Sequence, residues 1–361
     1  MTTPTLVAPT PAVPTSNNNS NNSNRNTTEQ PLTAHQIDHW RTAGFTLVDG
    51  LLPAALVDRL ATTLTAQFPA PGTPEAAHVT DFGSRLVFPS IEPDVNAVTL
   101  HPRLLGAVAQ LLGRPVTDLR LTQSDVWPKY GRPTDTAAGD RYDNDDQRIH
   151  VDYPNHMLSH PTPWERPAAV EIIVYYGDRR DCDGSTAVVP RTGPDDPCYP
   201  WPIVGSPGIA EMPWINDKVS AEAHVAEHRP DLVPLRAALY EREVHTDYRP
   251  GTVLLYRHDT WHRGTPLRPG TMRLAHNLTF RLAEATWIDT LHKGWAWGMY
   301  RPDQSTERLV ATATLDQRAV LGFPQPGDFY WCEQTVDAVA ARYGPFGFDP
   351  QPYRAALIER S

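Results

Sequence analysis

The periodicity of the apolar residues changes near residue 117, and this change limits the possible folds more than any other feature. Upstream, "LTAHQIDHWRTAG", "AALVDRLATTLTAQF" and residues 97–113 carry apolar residues at helical spacing. Downstream, "DLRLTQSDVWP", "AAVEIIVYY", "STAVVP", "GTVLLYR" and "RLAHNLTFRL" are short β-rich runs separated by Gly, Pro and Asp turns. Because helices and strands do not alternate, the pattern predicts a mainly β domain, a sandwich or jelly roll with helices packed outside it.

Capping signals mark the ends of the early helices. Thr33 and Gln36 form a capping box, and Gly44 ends the first helix, after which "FTLVDG" is predicted to be a short strand. The helical segment 97–113 ends at Gly113 in the same way. We therefore expect the first part of the domain to be helical up to the change in periodicity.

The chain divides into three regions by composition. Residues 1–31 contain "PTSNNNSNNSNRNTTEQ", a polar tract with little to bury, and are predicted to be disordered. Residues 32–285 are predicted to form the β domain. The aromatic-rich segment 286–361 has enough apolar residues to fold, and we expect it to pack on the same domain.

Two long segments interrupt the predicted strands. Residues 131–147 are acidic and predicted to be a loop, and their Asp run 143–146 lacks the ligand spacing of a calcium-binding loop. Residues 194–243 form a Pro- and Trp-rich insertion. Because long loops in a compact barrel are usually functional, we interpret this insertion as a lid and substrate wall.

Charge and cysteine content narrow the classes of partner. A formal net charge of −10 argues against nucleic acid or an anionic membrane surface, and no apolar run approaches the length of a membrane span. The Pro-rich first residues lack the basic region of a signal peptide. Cys182, Cys198 and Cys332 fit no zinc or disulfide spacing, so a reducing cytoplasm is the expected location. The expected partner is a small-molecule substrate, and the oligomeric state stays open.

The stretch "RIHVDYPNHM" places His150 two residues before Asp152. Residues i and i+2 of a strand share a face, so this pair could offer an imidazole and a carboxylate to one metal ion. The pattern alone is not specific, because the chain holds a second His-x-Asp at His245 and Asp247. A metal site also requires a third ligand from a distant strand.

His262 meets that requirement, 110 residues after Asp152 and just after the predicted strand "TVLLYR". Two histidines and one carboxylate occupy one face of an octahedral Fe(II) ion and leave three positions open. Arg273 follows His262 by 11 residues, at the start of the next strand, where it could hold a carboxylate in a bidentate fork. Arg268 and Arg281 are its competitors.

Other ligand sets remain open at this point. His258, four residues before His262, is a fallback ligand if the strand stays regular. The rival pair His245 and Asp247 would need His292 with Arg301, which are poorly spaced and lack a strand-like context.

With these residues the chain resembles the phytanoyl-CoA dioxygenase family of Fe(II)/2-oxoglutarate oxygenases over about residues 32–285. The resemblance includes "LTAHQIDHWRTAGFTLVDGLLP" and "CDGSTAVVPRTGPDD". The latter is similar to the family's Asn-Gly...Val-Pro-Gly-Ser-His stretch but departs from it at residues 190–193. The resemblance implies a double-stranded β-helix (a jelly roll or cupin-like barrel) with flanking α-helices.

The resemblance also implies roles for five residues. His150, Asp152 and His262 would be the iron ligands, Arg273 the 2-oxoglutarate anchor, and Lys129 a second group holding the co-substrate. The cofactors would be Fe(II), 2-oxoglutarate and O₂. A carboxylate at position 152 argues against halogenation, since halogenating relatives leave that position open for chloride.

The leading hypothesis is therefore a dioxygenase that hydroxylates a C–H bond of a small molecule and releases succinate and CO₂. A zinc hydrolase or isomerase on a similar barrel is a second reading, because three N/O ligands and a water also suit catalytic zinc. A non-catalytic binding protein that kept the fold is a third reading. The residues do not identify the substrate.

Overall fold

We describe the protein from a computed structural model. The described residues are 30–79, 86–88, 90, 92–131, 146–286, 304–313, 315, 318 and 323–359. Nearly all of the predicted disordered segment 1–31 lies outside them, as do most of the acidic loop 131–147 and the rival residues His292 and Arg301. Residues 31–361 form one compact unit.

The described part of the chain contains helices and antiparallel strands. The helices are α1 Ala34–Ala43, α2 Ala54–Gln67, α3 Pro74–Ala77, α4 Pro93–Thr99, α5 Pro102–Leu112, α6 Tyr153–His156, α7 Arg179–Cys182, α8 Lys218–His228, α9 Val233–Arg242, α10 Ser305–Thr312, α11 Glu333–Tyr343 and α12 Gln351–Ile358. The strands are β1 Phe45–Val48, β2 Leu86–Val87, β3 Leu119–Tyr130, β4 Ala169–Tyr175, β5 Thr186–Val188, β6 Val244–His245, β7 Val253–Tyr256, β8 His262–Gly264 and β9 Met272–Leu282. The described helices hold more residues than the strands, so the structure is mixed α/β rather than mainly β.

The entry into the domain follows the capping signals. The Thr33 hydroxyl accepts a hydrogen bond from the Gln36 backbone N–H and the Gln36 side chain accepts one from the Thr33 N–H, which completes the predicted capping box. Gly44 adopts φ 95°, a left-handed conformation that favours glycine, and ends α1. The predicted strand and second helix follow as β1 and α2.

The predicted single helix 97–113 is wrong at residues 100–101, which lie between two separate helices. The structure has two helices there, α4 and α5, because Pro102 occupies the first turn of α5 and His101 before it is extended, with ψ 127°. A residue that precedes proline is driven out of the helical conformation by the proline ring. The predicted end of the segment is confirmed, since Gly113 caps α5 at φ 64°.

The strands form two antiparallel sheets. The six-stranded sheet has the order β1-β7-β4-β9-β3-β2, and the three-stranded sheet has the order β6-β5-β8. Strand β9 lies at the centre of the larger sheet, between β3 and β4. The predicted packing of helices against β-sheets is present, and the double-stranded β-helix stays a prediction.

Alternate residues of the larger sheet pack against the early helices. Val126 on β3, Ile172 on β4 and Leu278 on β9 are buried in one apolar cluster with side chains of α1, α2, α4 and α5. Each large apolar side chain that is fully buried contributes about 1.5–3 kcal/mol to stability. We call this surface of the six-stranded sheet the outer face.

The opposite surface, the inner face, lines a cavity. Residues of β3, β4, β7 and β9 contribute to its wall, together with Thr186 of β5 and His262 and Gly264 of β8. The cavity therefore touches strands of both sheets. Because side chains alternate along a strand, lining residues of β9 such as Asn277 have neighbours such as Leu278 that pack on the outer face.

The insertion 194–243 contains the helices α8 and α9 as well as loops. Arg236 of α9 donates hydrogen bonds to Glu222 of α8 and to the Ile149 carbonyl. Tyr240 accepts a hydrogen bond from the Ile149 N–H at 2.9 Å. The insertion thus holds the backbone immediately before His150.

Aromatic side chains of the last part of the chain bury one another and contact residues 157–160. Phe323, Trp331, Tyr343 and Tyr353 lie in one buried cluster with Leu158. The Tyr343 hydroxyl donates to the Leu158 carbonyl at 2.6 Å. Among the described helices, none has the length and apolar composition needed to cross a membrane.

Candidate metal centre

Backbone pairing brings His150 and His262 together. The His150 N–H donates to the His262 carbonyl at 3.0 Å, and the His262 N–H donates to the His150 carbonyl at 2.9 Å. The two imidazole rings are 4.4 Å apart between centroids. His262 is the first residue of β8, whereas His150 forms an isolated bridge outside the named strands.

Asp152 reaches the same point through a turn and not through strand alternation. Its backbone is helical, with φ −85° and ψ −23°, and it precedes the short helix α6. Its N–H donates to the His258 carbonyl at 3.1 Å. The carboxylate oxygens lie 3.7 Å from His150 Nε2 and 3.4 Å from His262 Nε2. The expected shared strand face of His150 and Asp152 is therefore wrong, although their side chains do meet.

One ligand atom from each of the three residues lies within 4.8 Å of the others. The carboxylate-to-imidazole distances of 3.7 and 3.4 Å lie within the roughly 4.4 Å that two metal–ligand bonds of about 2.2 Å can span. His150, Asp152 and His262 are the candidate cluster found among the described residues. The donor set of two imidazoles and one carboxylate fits a divalent transition metal with open positions.

Hydrogen bonds prepare both histidines to act as ligands through Nε2. His150 Nδ1 lies 2.9 Å from the Arg148 carbonyl, and His262 Nδ1 lies 3.0 Å from the Thr260 carbonyl. A carbonyl only accepts, so each Nδ1 carries the proton and each Nε2 presents a lone pair. The hydrogen bond from Nδ1 to a backbone carbonyl thus fixes the tautomer and the orientation of each ring.

Burial and neighbouring charges favour the ligating protonation states. Burial, reinforced by the adjacent His262, lowers the pKa of His150 to about 3, so this ring is neutral near pH 7. Burial opposes ionisation of Asp152, but His262 and His150 hold its pKa below the ordinary value. The Tyr256 hydroxyl donates to Asp152 Oδ2 at 3.1 Å and leaves Oδ1 facing His150.

The two predicted co-substrate residues lie side by side on the inner face. Lys129 of β3 pairs in register with Arg273 of β9, and both line the same cavity as the metal cluster. Lys129 Nζ donates to the Thr265 carbonyl at 2.9 Å. A side chain at Gly264 would approach Lys129 Nζ to 2.8 Å, so glycine leaves room for the lysine.

Arg273 is buried with part of its guanidinium unpaired. The side chain is 8% exposed, and its Nε and Nη1 have no hydrogen-bond partner in the part of the chain that the structure describes. The guanidinium lies 5.8 Å from the Tyr175 ring centroid. A buried charge without a partner is costly, so this group calls for an anion from outside the protein.

The competing arginines have protein partners. Arg268 is half exposed, pairs with Asp183 at 3.1 Å and donates to the Asp181 carbonyl. Arg281 donates from one nitrogen to three carbonyl groups at the end of β9. Neither of them lines the cavity.

The rival metal ligands lie away from the cluster. His245 Nδ1 contacts the Ser185 hydroxyl at 2.9 Å, and the Asp247 side chain is 88% exposed. The fallback ligand His258 is buried but does not belong to the group of converging ligand atoms. The structure therefore brings His150, Asp152, His262, Arg273 and Lys129 into one cavity and leaves these rivals out.

Two acidic residues of the cavity were not predicted. Asp125 of β3 and Glu171 of β4 are buried on the inner face. Burial raises the pKa of Asp125 to about 7, against the hydrogen bond from Gln123. Burial, with the nearby Asp152, raises the pKa of Glu171 well above its ordinary value. The available signal was a lone acidic residue inside the apolar run "AAVEIIVYY".

Comparisons with known proteins give a likeness to solved structures alone. No family model matches the chain, so the predicted membership of the phytanoyl-CoA dioxygenase family stays a prediction. No curated protein matches its sequence.

Three of the similar structures are the following. EvdO2 from Micromonospora carbonacea var. aurantiaca, complexed with 2-oxoglutarate, is 14% identical with a TM-score of 0.48, and the match covers 70% of this chain and 91% of EvdO2. The epimerase SnoN, in complex with Fe³⁺, alpha ketoglutarate and nogalamycin RO, is 18% identical with a TM-score of 0.43, and the match covers 70% of this chain and 84% of SnoN. EctD from S. alaskensis with bound Fe is 18% identical with a TM-score of 0.45, and the match covers 71% of this chain and 79% of EctD. Such distant likenesses carry no weight for function, which has to follow from the cavity itself.

Proposed function

We propose that the protein is an Fe(II)- and 2-oxoglutarate-dependent oxygenase that hydroxylates a C–H bond of a small molecule. One observation carries the proposal. A single cavity holds the convergent His150, Asp152 and His262 and, on the same inner face, the buried and partly unpaired guanidinium of Arg273. A 2-oxo diacid needs two things from such a site. A metal ion with open coordination positions can chelate its 2-oxo acid end, and a buried cation can bind its distal carboxylate.

Each residue has a defined task. His150, Asp152 and His262 would hold the metal on one face, with both Nδ1–H groups tied to backbone carbonyls. When bound, Fe(II), 2-oxoglutarate and O₂ supply an oxidation that forms succinate and CO₂ and adds one oxygen atom to the substrate. Arg273 would hold the distal carboxylate of 2-oxoglutarate in a bidentate fork, and Lys129 would add a second positive charge beside it.

The rest of the cavity keeps this arrangement oriented. Tyr256 restrains Asp152 through its hydroxyl, and its ring lies 4.7 Å from the His262 ring. Ile209 and Ile215 of the insertion 194–243 line the cavity, which supports the interpretation of that insertion as a substrate wall. Apolar walls limit water at the metal and strengthen the electrostatic interactions inside.

A zinc hydrolase is the second candidate, since the same ligands suit zinc. The unpaired guanidinium of Arg273 argues against it, because a hydrolytic zinc site needs no second carboxylate anchor in the cavity. An unpaired buried charge lowers the stability of the fold, so a protein that binds nothing with it would gain stability by replacing it.

An anaerobic titration separates the two candidates. Adding Fe(II) and then 2-oxoglutarate to the protein should produce the weak visible charge-transfer band of the chelate, and air with a substrate should release succinate. The hydroxylated product should carry one oxygen atom from labelled O₂. Absence of both the band and 2-oxoglutarate consumption would overturn the proposal, and turnover with zinc alone would favour the hydrolase.

A further inference from the structure

Two acidic side chains flank the centre of the inner face without a basic partner. Glu171 of β4 is 3% exposed and lies opposite Thr279 of β9. Asp125 of β3 is 6% exposed and lies opposite Asn277 of β9. Both line the cavity that contains the metal cluster, so they face the space left for a substrate.

Glu171 has one carboxyl oxygen satisfied and one left over. Its Oε2 accepts a hydrogen bond from the Thr279 hydroxyl, whereas the buried Oε1 has no partner among the described residues. Tyr256, opposite Glu171 on β7, is already engaged by Asp152. A buried acceptor left unpaired destabilises the protein, so the free oxygen favours a ligand that brings a donor.

Asp125 lies near Glu171 and accepts from an amide. The hydrogen bond described for its carboxyl is from Gln123 Nε2 at 2.9 Å. The Thr279 hydroxyl also contacts Gln123 Oε1 at 3.3 Å, which links the surroundings of the two acids. None of the ion pairs in the described part of the chain involves Asp125 or Glu171.

The basic residues of the cavity are too far along the sheet to serve. Arg273 precedes Asn277 and Thr279 by four and six residues on β9, about 13 and 20 Å at roughly 3.3 Å per residue. Lys129 is paired with Arg273 at that same end. Under the proposed function these two cations hold the co-substrate, so no described Lys or Arg of the cavity is left to pair with the two acids.

From this arrangement, and resting on the proposed function, we infer that the substrate carries a primary amine. Its ammonium binds the free oxygen of Glu171, and a second N–H or O–H donor of the substrate binds Asp125. An ammonium offers three donors and no acceptor, which suits a site made of acceptors. Hydrogen bonds to charged groups are also stronger than neutral ones. Glu171 and Asp125 would then orient the substrate and decide which molecules are accepted.

Paired probes test this inference by binding as well as by turnover. D-glucosamine, L-lysine and putrescine are each compared with the mono-N-acetyl derivative, L-lysine through its Nε-acetyl form. Dissociation constants are measured on the anaerobic Fe(II)- and 2-oxoglutarate-loaded protein, and succinate release is measured in air. The amine of at least one pair should bind more tightly than its acetylated partner by roughly 10-fold or more, because acetylation removes the charge.

Glu171→Gln keeps the shape of the side chain and removes the carboxylate that would pair with the ammonium. It should weaken binding of the amine roughly 10- to 100-fold and leave the acetylated partner nearly unaffected. Glu165→Gln is the matched control, since Glu165 is exposed and does not line this cavity. If Glu171→Gln does not fold, as judged by its melting curve, Asp125→Asn provides the same comparison.

The outcomes separate the two proposals. Equal binding of the amines and their acetylated partners, or no binding of any amine, would overturn the amine inference. The proposed function would still hold in that case if the protein consumes 2-oxoglutarate without a substrate. If the protein never consumes 2-oxoglutarate but binds amines through Glu171, the proposed function fails and the amine site stands.

Discussion

Consecutive residues of the same strands build the two faces of the six-stranded sheet, yet the faces differ in how their side chains are satisfied. On β9, Leu278 is buried against the early helices, while its neighbour Asn277 lines the cavity. On β4, Val170 is buried against the early helices, while its neighbour Glu171 lines the cavity. Burial is high on both faces, so burial alone does not distinguish the structural face from the functional one.

The difference lies in the polar groups. His276 on the outer face is fully buried, but its two ring nitrogens contact the Ser124 hydroxyl at 2.9 Å and the Tyr176 hydroxyl at 3.1 Å. Arg273 and Glu171 on the inner face have buried polar atoms without a hydrogen-bond partner among the described residues. The outer face therefore stabilises the fold. The inner face is less favourable for stability, because it holds buried polar groups whose hydrogen bonds only a ligand would complete.

The largest expected effect is on the inner face. His150→Ala or His262→Ala should abolish Fe(II) binding and 2-oxoglutarate turnover, because each removes one of three ligands, while the melting temperature changes little. Metal content after Fe(II) loading and succinate release are the measurements. His245→Ala is the control and should bind iron like the wild type. Near-normal iron affinity in either ligand variant would place the metal elsewhere.

The next effect concerns the co-substrate. Arg273→Ala should raise the KM for 2-oxoglutarate by roughly 30-fold to several thousand-fold, since a charge-assisted bidentate pair in a buried site is lost. Arg273→Lys should recover only part of this loss, because an ammonium does not match both carboxylate oxygens. Shorter 2-oxo acids without the distal carboxylate should be far less affected.

Arg268→Ala is the matched control for that experiment, since Arg268 is exposed and paired with Asp183 outside the cavity. Arg273→Met should also raise the free energy of unfolding of the unliganded protein, because it replaces a buried, partly unpaired charge with an apolar side chain. An unchanged KM in Arg273→Ala would move the anchor to another residue and weaken the contrast between the two faces.

A substitution on the outer face should have the opposite profile. Leu278→Ala should lower the free energy of unfolding by about 2–5 kcal/mol, because it leaves a cavity among the helices and the sheet. Asn277→Ala, one residue earlier on the inner face, should change it by less than about 1 kcal/mol. Chemical denaturation measures both variants. Equal destabilisation by the two would show that the inner face also supports the fold.

The smallest expected effect is a pH dependence of the outer face. Burial lowers the pKa of His276 to about 3, so the folded state keeps it neutral while the unfolded chain takes up a proton below about pH 6.5. Its contribution is absent above that pH, and stability is lost as the pH falls, by about 1.4 kcal/mol per pH unit down to the folded pKa.

His276→Gln isolates this term from the other buried histidines. The loss of unfolding free energy between pH 7 and pH 5 should be smaller in the variant by about 2 kcal/mol, because glutamine does not titrate. Denaturation at the two pH values measures the difference. An identical loss in the variant and the wild type would mean that His276 is protonated in the folded state.

Local patterns in the chain were enough to predict several elements and the spacing of the candidate site. The capping box at Thr33, the glycine at position 44 and the period-2 strands depend on neighbours a few residues apart, and each is present in the structure. The prediction of a single helix over 97–113 was wrong because Pro102 drives the preceding residue out of the helical conformation. The spacing of His262 and Arg273 led to the residues that the structure places in one cavity.

What the sequence by itself determined was therefore which residue types are available and where the strands and caps lie. Only the tertiary structure decided which side chains meet. Asp152 joins the histidines through a turn that period 2 does not predict, and Glu171 and Asp125 become neighbours of the site because β3 and β4 flank β9. Whether an arginine is paired depends on groups distant in sequence, since Arg268 pairs with Asp183, 85 residues earlier, and no local pattern contains that information.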